Sequence, residues 1–317
     1  MSTFSFIEFD FTIPVVYFND MRRGYSLLIV IAALLWSLDA LVRRQLYFIP
    51  APFLVTIETM IRVLILLPWF TRFLPEYKLM KAKDWWVMMG MGIISGMIGV
   101  TLFTAALAQV NDINYSVVAL LQQTQPLFAV FLAVLILKEK VSLKFALLGL
   151  VAMIAAYFLA FPGLVPTFLG NSGELKAALL ALGAAAAWGS GTVLSKLMLS
   201  KLSYAATAML RFIITGITAL VWSLFSGQSY VLSTLTVNQW GMILFLAIVG
   251  GVASFMLYYK GLQHTEAKVS TFAEMTYPLT AAFIGFAFLG ERLVLIQIVA
   301  AVVLLATILG ITLNKNE

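Results

Sequence analysis

Ten apolar runs of about 20 residues follow one another along this chain, at roughly 24–42, 51–71, 85–108, 113–137, 143–162, 175–196, 203–226, 239–260, 266–289 and 293–314. At a helical rise of 1.5 Å per residue, a run of this length covers about 30 Å, the thickness of a bilayer's hydrocarbon core. No water is at hand there to bond a stray peptide group, so only helices and closed barrels persist. A barrel strand alternates apolar and polar residues over about ten positions. Stretches such as Ala177 to Trp188 show no alternation. The expected fold is therefore an all-α integral membrane protein with ten transmembrane helices.

Composition narrows the chemistry. Of 317 residues, 62% are hydrophobic and 11% charged; soluble domains average about 45–50% and about 25%. Lipid must be the solvent for most of such a surface. The absence of cysteine excludes disulfides, thiol catalysis and Cys-held metals. His264, the single histidine, cannot build a His-rich metal site. No Gly-rich loop ending in Lys-Ser/Thr is present, which argues against ATP-driven transport by this chain alone. No cofactor or metal is expected.

A net charge of +6 would suit nucleic acid if it gathered on one face, but the basic residues form short clusters between apolar runs. That is the pattern of cytoplasmic loops, so no nucleic-acid partner is expected. Ten crossings bring both termini to one side. That side collects most of the 20 Lys and Arg, including Arg22, Arg23, Lys78, Lys81, Lys138, Lys140, Lys196, Lys201, Lys260 and Lys268. The other side holds Arg43, Arg44, Lys176 and Arg292. The bias places both termini in the cytoplasm and the chain in the cell membrane.

The sequence also repeats itself. Trp36, Pro126 and Glu139 return as Trp188, Pro278 and Glu291, each 152 positions later. Arg62 returns as Arg211, three short of that shift, as one shorter loop would produce. A duplicated helical membrane unit is the usual build of a secondary transporter. Five spans per copy is an odd number, so the second copy must insert upside down, giving two inverted five-helix repeats. The boundaries read as 1–21 for a leader or interfacial segment, 22–162 for the first repeat, 163–174 for a linker and 175–317 for the second repeat. The leader carries Glu8, Asp10 and Asp20 but no Lys or Arg, unlike a signal peptide. The linker is read from Gly163, Pro166, Gly170, Asn171 and Gly173.

Trp36-Ser37, Pro126 and the Leu137-Lys138-Glu139-Lys140 exit resemble the EamA family of the drug/metabolite transporter superfamily, as do Trp188-Gly189-Ser190, Pro278 and Leu289-Gly290-Glu291-Arg292. The resemblance runs over 22–314, and the two-copy pattern carries it. It implies a ten-helix carrier with a central substrate cavity, often an exporter of amino acids or other small metabolites.

A charge at the bilayer centre costs about 2.5–3.5 kcal/mol on insertion scales, so polar residues inside the spans call for a reason. A proline frees the carbonyl four residues before it. For Pro126 that carbonyl belongs to Gln122 and for Pro278 to Glu274, again 152 apart. Discontinuities at matching positions of two halves point to a transporter's binding site. Gln125 and Tyr277 lie one turn away. The candidate substrate-binding residues are Gln122, Glu274, Trp36, Trp188, Tyr258, Tyr277 and Asp39; no catalytic residue is expected. Glu274 would hold a substrate ammonium or carry a coupling proton. Simple packing around the prolines is the other reading.

Asp39 and Arg43, and Glu58 and Arg62, are four apart and can pair along one helix face. Asp39 is also expected to line the outer vestibule. Arg211 has no local partner and is expected to snorkel to the cytoplasm or bond an opposing helix. Trp36 and Trp188 lie deep in their spans, where an indole either stacks on a solute or packs the core. Phe103, Phe255, Tyr258 and Tyr259 can add wall area. Glu139 and Glu291 read as turn or capping residues ahead of the next span. Gly92, Gly96, Gly99, Gly250 and Gly251 let helices approach closely.

Together these features describe a carrier moving a small organic metabolite, an amino acid or related amino-bearing solute, by alternating access, with export as the implied direction. Its partners would be the lipid bilayer and the solute, with proton coupling. A non-transporting sensor or assembly protein is the alternative, and an intramembrane enzyme a weaker one.

Overall fold

The computed structural model describes residues 21–109, 118, 121–160, 172–225, 234–288 and 294–312. The expected leader up to residue 20, most of the 163–174 linker, and Glu291 with Arg292 lie outside the described residues. Among the described residues the chain is helical throughout, without strands. Met21–Gln45 forms α1. Ala51–Leu66 (α2) passes through a tight turn at Leu67–Trp69 into Phe70–Lys78 (α3). Ala82–Gly90 (α4) and Gly99–Leu107 (α5) are joined by a π-helical segment, Met91–Ile98. Gln125–Leu132 (α6) ends in a second π-helical segment, Ala133–Leu137, and Leu143–Ala160 forms α7.

The second half follows the same plan. It begins with Ser172–Leu199 (α8) and Tyr204–Phe225 (α9). Val237–Phe245 (α10) and Ser254–His264 (α11) are joined by a third π-helical segment, Leu246–Ala253. Ala267–Ala273 (α12), Thr276–Phe288 (α13) and Leu295–Thr312 (α14) complete it. Among the described residues, seven stretches are long and apolar enough to cross a membrane: Gly24–Gln45, Ala51–Lys78, Ala82–Leu107, Leu175–Leu199, Tyr204–Phe225, Val237–His264 and Leu295–Thr312. Gln125–Leu137 and Leu143–Leu159 are apolar but shorter. The second expected span runs on past residue 71 to Lys78, through the tight turn at Leu67–Trp69 and with Pro75 inside α3.

The surface is inverted relative to a soluble protein. Leu64, Phe131, Leu179, Leu224 and Val302 face outward, while Glu58, Ser195, Ser254 and Ser270 are fully buried. Outward hydrocarbon at this density is stable in lipid, and the polar groups withdraw inside to bond one another.

The halves interlock rather than lie side by side. α1 packs on α11, and α5 packs on α8, the same contact with the halves exchanged. α6 packs on α8 as α13 packs on α1, while α2 meets α9 and α7 meets α14 across the halves. Small residues permit the closest approaches. A methyl group on Gly96 would run into Thr215 of α9, and one on Gly251 into the Arg62 guanidinium.

Polar ties at one end join the halves. Glu139 was expected to serve the turn or to cap the span that follows it. Instead its carboxylate accepts from the backbone N–H of Ala267 (2.8 Å) and Lys268 (3.0 Å) at the start of α12. The cause is the left-handed turn at Lys138, φ 56°, which swings Glu139 away from α7. Glu76 accepts from Ser203 twice, at 2.7 and 2.9 Å, and Lys201 pairs with Asp84. Glu139→Ala strands the two α12 donors and is expected to cost about 1–2 kcal/mol. A thermal-unfolding midpoint in detergent equal to the parent's would show that the cap contributes nothing.

Candidate functional site

The two prolines break their helices at nearly matching places, one residue apart on the 152-residue shift. Gln123–Thr124 and Glu274–Met275 form turns ahead of α6 and α13. The prolines were expected to free the Gln122 and Glu274 carbonyls. At the second break the Glu274 carbonyl is instead taken by the Tyr277 N–H at 3.0 Å, because the chain tightens to a three-residue turn there. What each break does expose is side chain. A cavity of about 110 Å³ opens between the halves. All seven sequence candidates border it: Trp36, Asp39, Gln122, Trp188, Tyr258, Glu274 and Tyr277.

One wall is a chain of amides ending on a carboxylate. Gln123 Nε2 donates to Gln122 Oε1 (3.0 Å), Gln122 Nε2 to Gln125 Oε1 (2.9 Å), and Gln125 Nε2 to Glu274 Oε2 (2.8 Å). The Tyr258 hydroxyl donates to Glu274 Oε1 at 2.9 Å, and Ser270 reaches the same oxygen at 3.4 Å. A carboxylate only accepts, so Glu274 sets the direction in which every amide of the row points.

The two indoles span the halves in matching fashion. Trp36 Nε1 donates to the Gly250 carbonyl at 3.1 Å, and Trp188 Nε1 to the Ser95 carbonyl at 3.1 Å. Ser95 and Gly250 each stand fifth in their π-helical segments, Met91–Ile98 and Leu246–Ala253. π-Helical backbone shifts the usual four-residue bonding pattern and leaves carbonyls free for outside donors. Thus each half's first helix bonds the third span of the other. Phe255 and Tyr258 stand edge-on to Trp36 at 5.3 and 5.1 Å, and Phe103 lies 5.0 Å from Trp188.

Another part of the lining is charged. Arg43 Nε lies 3.1 Å from Asp39 Oδ2, Nη2 lies 2.8 Å from Glu58 Oε2, and Nη1 donates to Thr104 Oγ1 at 3.0 Å. Arg62 Nη2 lies 3.3 Å from Glu58 Oε1, within ion-pairing range but off the hydrogen-bonding direction, so that oxygen has no donor. The two helical pairs expected from spacing therefore fuse into one network through Arg43. This also corrects the charge count by side, because Arg43 is buried and belongs to no loop. Arg211 does not snorkel. It is 5% exposed, and its Nη1 donates to Tyr259 Oη at 2.6 Å.

The chain matches the EamA-like transporter family over residues 23–161 and again over 175–313. This chain belongs to that family. It is similar to the riboflavin transporter ImpX of Fusobacterium nucleatum, 29% identical over 90% of this chain and 97% of that one. An uncharacterized transporter of Clostridium kluyveri is 24% identical over 93% of this chain and 95% of its own. An uncharacterized transporter of Bacillus subtilis, YwfM, is 32% identical over 38% of this chain and 40% of its own. A crystal structure with 16% identity superposes with a TM-score of 0.70 over 92% of this chain and 96% of that one, a likeness of fold.

Some cavity residues were missed from sequence. Thr192 and Ser195 face the cavity from α8, and Ser95, Gln123 and Thr271 complete its polar lining. Trp188, Thr192 and Ser195 follow at spacings of four and three, one helix face. That polar stripe on an otherwise Ala- and Leu-rich helix was the available signal.

Proposed function

We propose that this member of the family is a secondary carrier for a flat, hydrogen-bonding aromatic metabolite, moved through the central cavity by alternating access. The observation that carries the reading is that Trp36 and Trp188, from opposite halves, line one cavity together with the Gln122–Gln125–Glu274 row. Indole and phenyl faces hold a planar ring by stacking, while the amide row and its carboxylate meet ring N–H and C=O groups. A relative named for riboflavin transport supports a solute of this kind. An aromatic amino acid, whose ammonium would meet Glu274, is the second reading, favoured by that carboxylate's lack of a cationic partner among the described residues.

The same proposal covers the topology. Ten crossings arranged as two inverted five-helix repeats, 22–162 and 175–317, would place both termini in the cytoplasm of a cell-membrane protein. The exchanged contacts between halves and the one-sided basic clusters support it. Substrate binding falls to Trp36, Asp39, Gln122, Trp188, Tyr258, Glu274 and Tyr277, with Glu274 as coupling-proton carrier and export as the working direction.

Counterflow in proteoliposomes preloaded with riboflavin, tryptophan or an organic cation tests the substrate class. Exchange of an aromatic solute is expected. Exchange confined to non-aromatic amino acids would overturn it. Access is tested separately in this Cys-free chain. Cysteines placed at Gln122 and at Glu274 are expected to react with aqueous thiol reagents, and silence at both would favour pure packing.

A further inference from the structure

Three arginines border the cavity, and they are not equally compensated. Arg43 is held by two carboxylates and Arg62 by one. Arg211 has no carboxylate within ion-pair distance among the described residues; its polar contact there is the Tyr259 hydroxyl. The Phe255 ring lies 4.4 Å from its guanidinium carbon and Tyr259's ring 5.9 Å. A guanidinium carries five N–H donors, so most of its bonding capacity is unspent. Arg62 adds to this. Its Nε is buried without any acceptor, its carbon lies 5.6 Å from Phe212, and Phe212 and Phe255 touch edge-on at 5.6 Å. The two guanidinium groups thus flank one aromatic pair beside the same cavity.

A buried cation without a counter-ion carries a desolvation cost of several kcal/mol. Glu274 does not supply the counter-ion: among the described residues it forms no ion pair with either arginine, and its oxygens accept from Gln125, Tyr258 and Ser270 instead. We infer that the cavity holds an anionic group of the solute at Arg211, with Arg62 beside it, so the cargo is an aromatic compound bearing a carboxylate or a phosphate. This rests on the proposed role of the cavity as the solute site. Arg211 and Arg62 then anchor the charged end, and the Trp-lined wall with the amide row receives the ring. Aromatic faces beside a guanidinium keep water away and strengthen the ionic contact.

Equilibrium binding to the purified full chain tests this with radiolabelled pairs that differ by one anionic group: riboflavin and riboflavin 5′-phosphate, nicotinamide and nicotinate, tryptophanamide and tryptophan. In at least one pair the anionic member is expected to bind about tenfold to a hundredfold more tightly than the neutral one. Arg211→Gln should erase that preference and Arg211→Lys should retain part of it. The readout is a ratio, so loss of folded protein, which lowers both members together, does not mimic the effect. If Arg211→Gln cannot be purified, Arg211→Lys and Arg62→Gln are measured in its place, each expected to narrow the ratio. No anionic preference in any pair, failure to bind any anionic member, or a preference untouched by these variants overturns the inference. Preference in the tryptophan pair alone keeps the anion site and sinks the heteroaromatic reading. Tight riboflavin binding with no preference and no response at Arg211 does the reverse.

Discussion

Arg43→Leu is expected to destabilise the protein by about 3–5 kcal/mol, because it leaves Asp39 and Glu58 as uncompensated charges inside the membrane protein. Arg43 bonds both carboxylates and Thr104 at once. Glu58 is fully buried and would keep only the off-line contact with Arg62. Arg43→Lys should fail almost as badly, since an ammonium cannot present the planar fork that reaches two carboxylates in different directions. The double change Asp39→Asn, Arg43→Leu neutralises one stranded carboxylate and leaves Glu58 with Arg62, so it should recover part of the loss. Yield and thermal midpoint in detergent measure all three. Equal midpoints for Arg43→Leu and the parent would show that the network does not hold helices α1, α2 and α5 together.

Glu274→Leu is expected to lower counterflow by about tenfold to a hundredfold. It strands the Gln125 amide, which costs about 1–3 kcal/mol when left unbonded, and leaves the Tyr258 hydroxyl with Thr192 alone, 3.0 Å away. It also releases the amide row from the carboxylate that sets its direction. Glu274→Gln keeps the shape but cannot take up and release a proton. Transport by the parent is expected to vary with pH and transport by Glu274→Gln to be flat. If the two profiles coincide, Glu274 carries no coupling proton, and its part is limited to orienting Gln125, Gln122 and the ring edge of the solute.

Several of these residues were legible because membrane chemistry makes polar residues conspicuous. Gln122, Glu274 and the two tryptophans stood out against hydrocarbon and recurred at a constant spacing. Their convergence on one cavity agrees with the rule that paired breaks mark a binding site. Thr192 and Ser195 were passed over because hydroxyls are common in membrane helices, where they bond their own backbone; Thr192 also does so, at 3.2 Å to Trp188 O. Glu139 was placed on the wrong helix because a sequence shows only the next element. The left-handed Lys138 turn sends its carboxylate to α12, far along the chain.

By itself the sequence determined the solvent, the helical class and the duplication. These follow from run length, hydrophobic fraction and a constant residue shift, all one-dimensional quantities. Only the tertiary structure decided the partners. The 3.1 Å bonds from Trp36 to Gly250 and from Trp188 to Ser95 join opposite halves through carbonyls that π-helical backbone sets free. No spacing rule foretells which distant carbonyl an indole will meet. Likewise the fusion of two i,i+4 pairs through Arg43, and the isolation of Arg211 from every described carboxylate, depend on how helices cross. A buried charge must find its counter-ion in three dimensions, and the sequence shows only the demand for one.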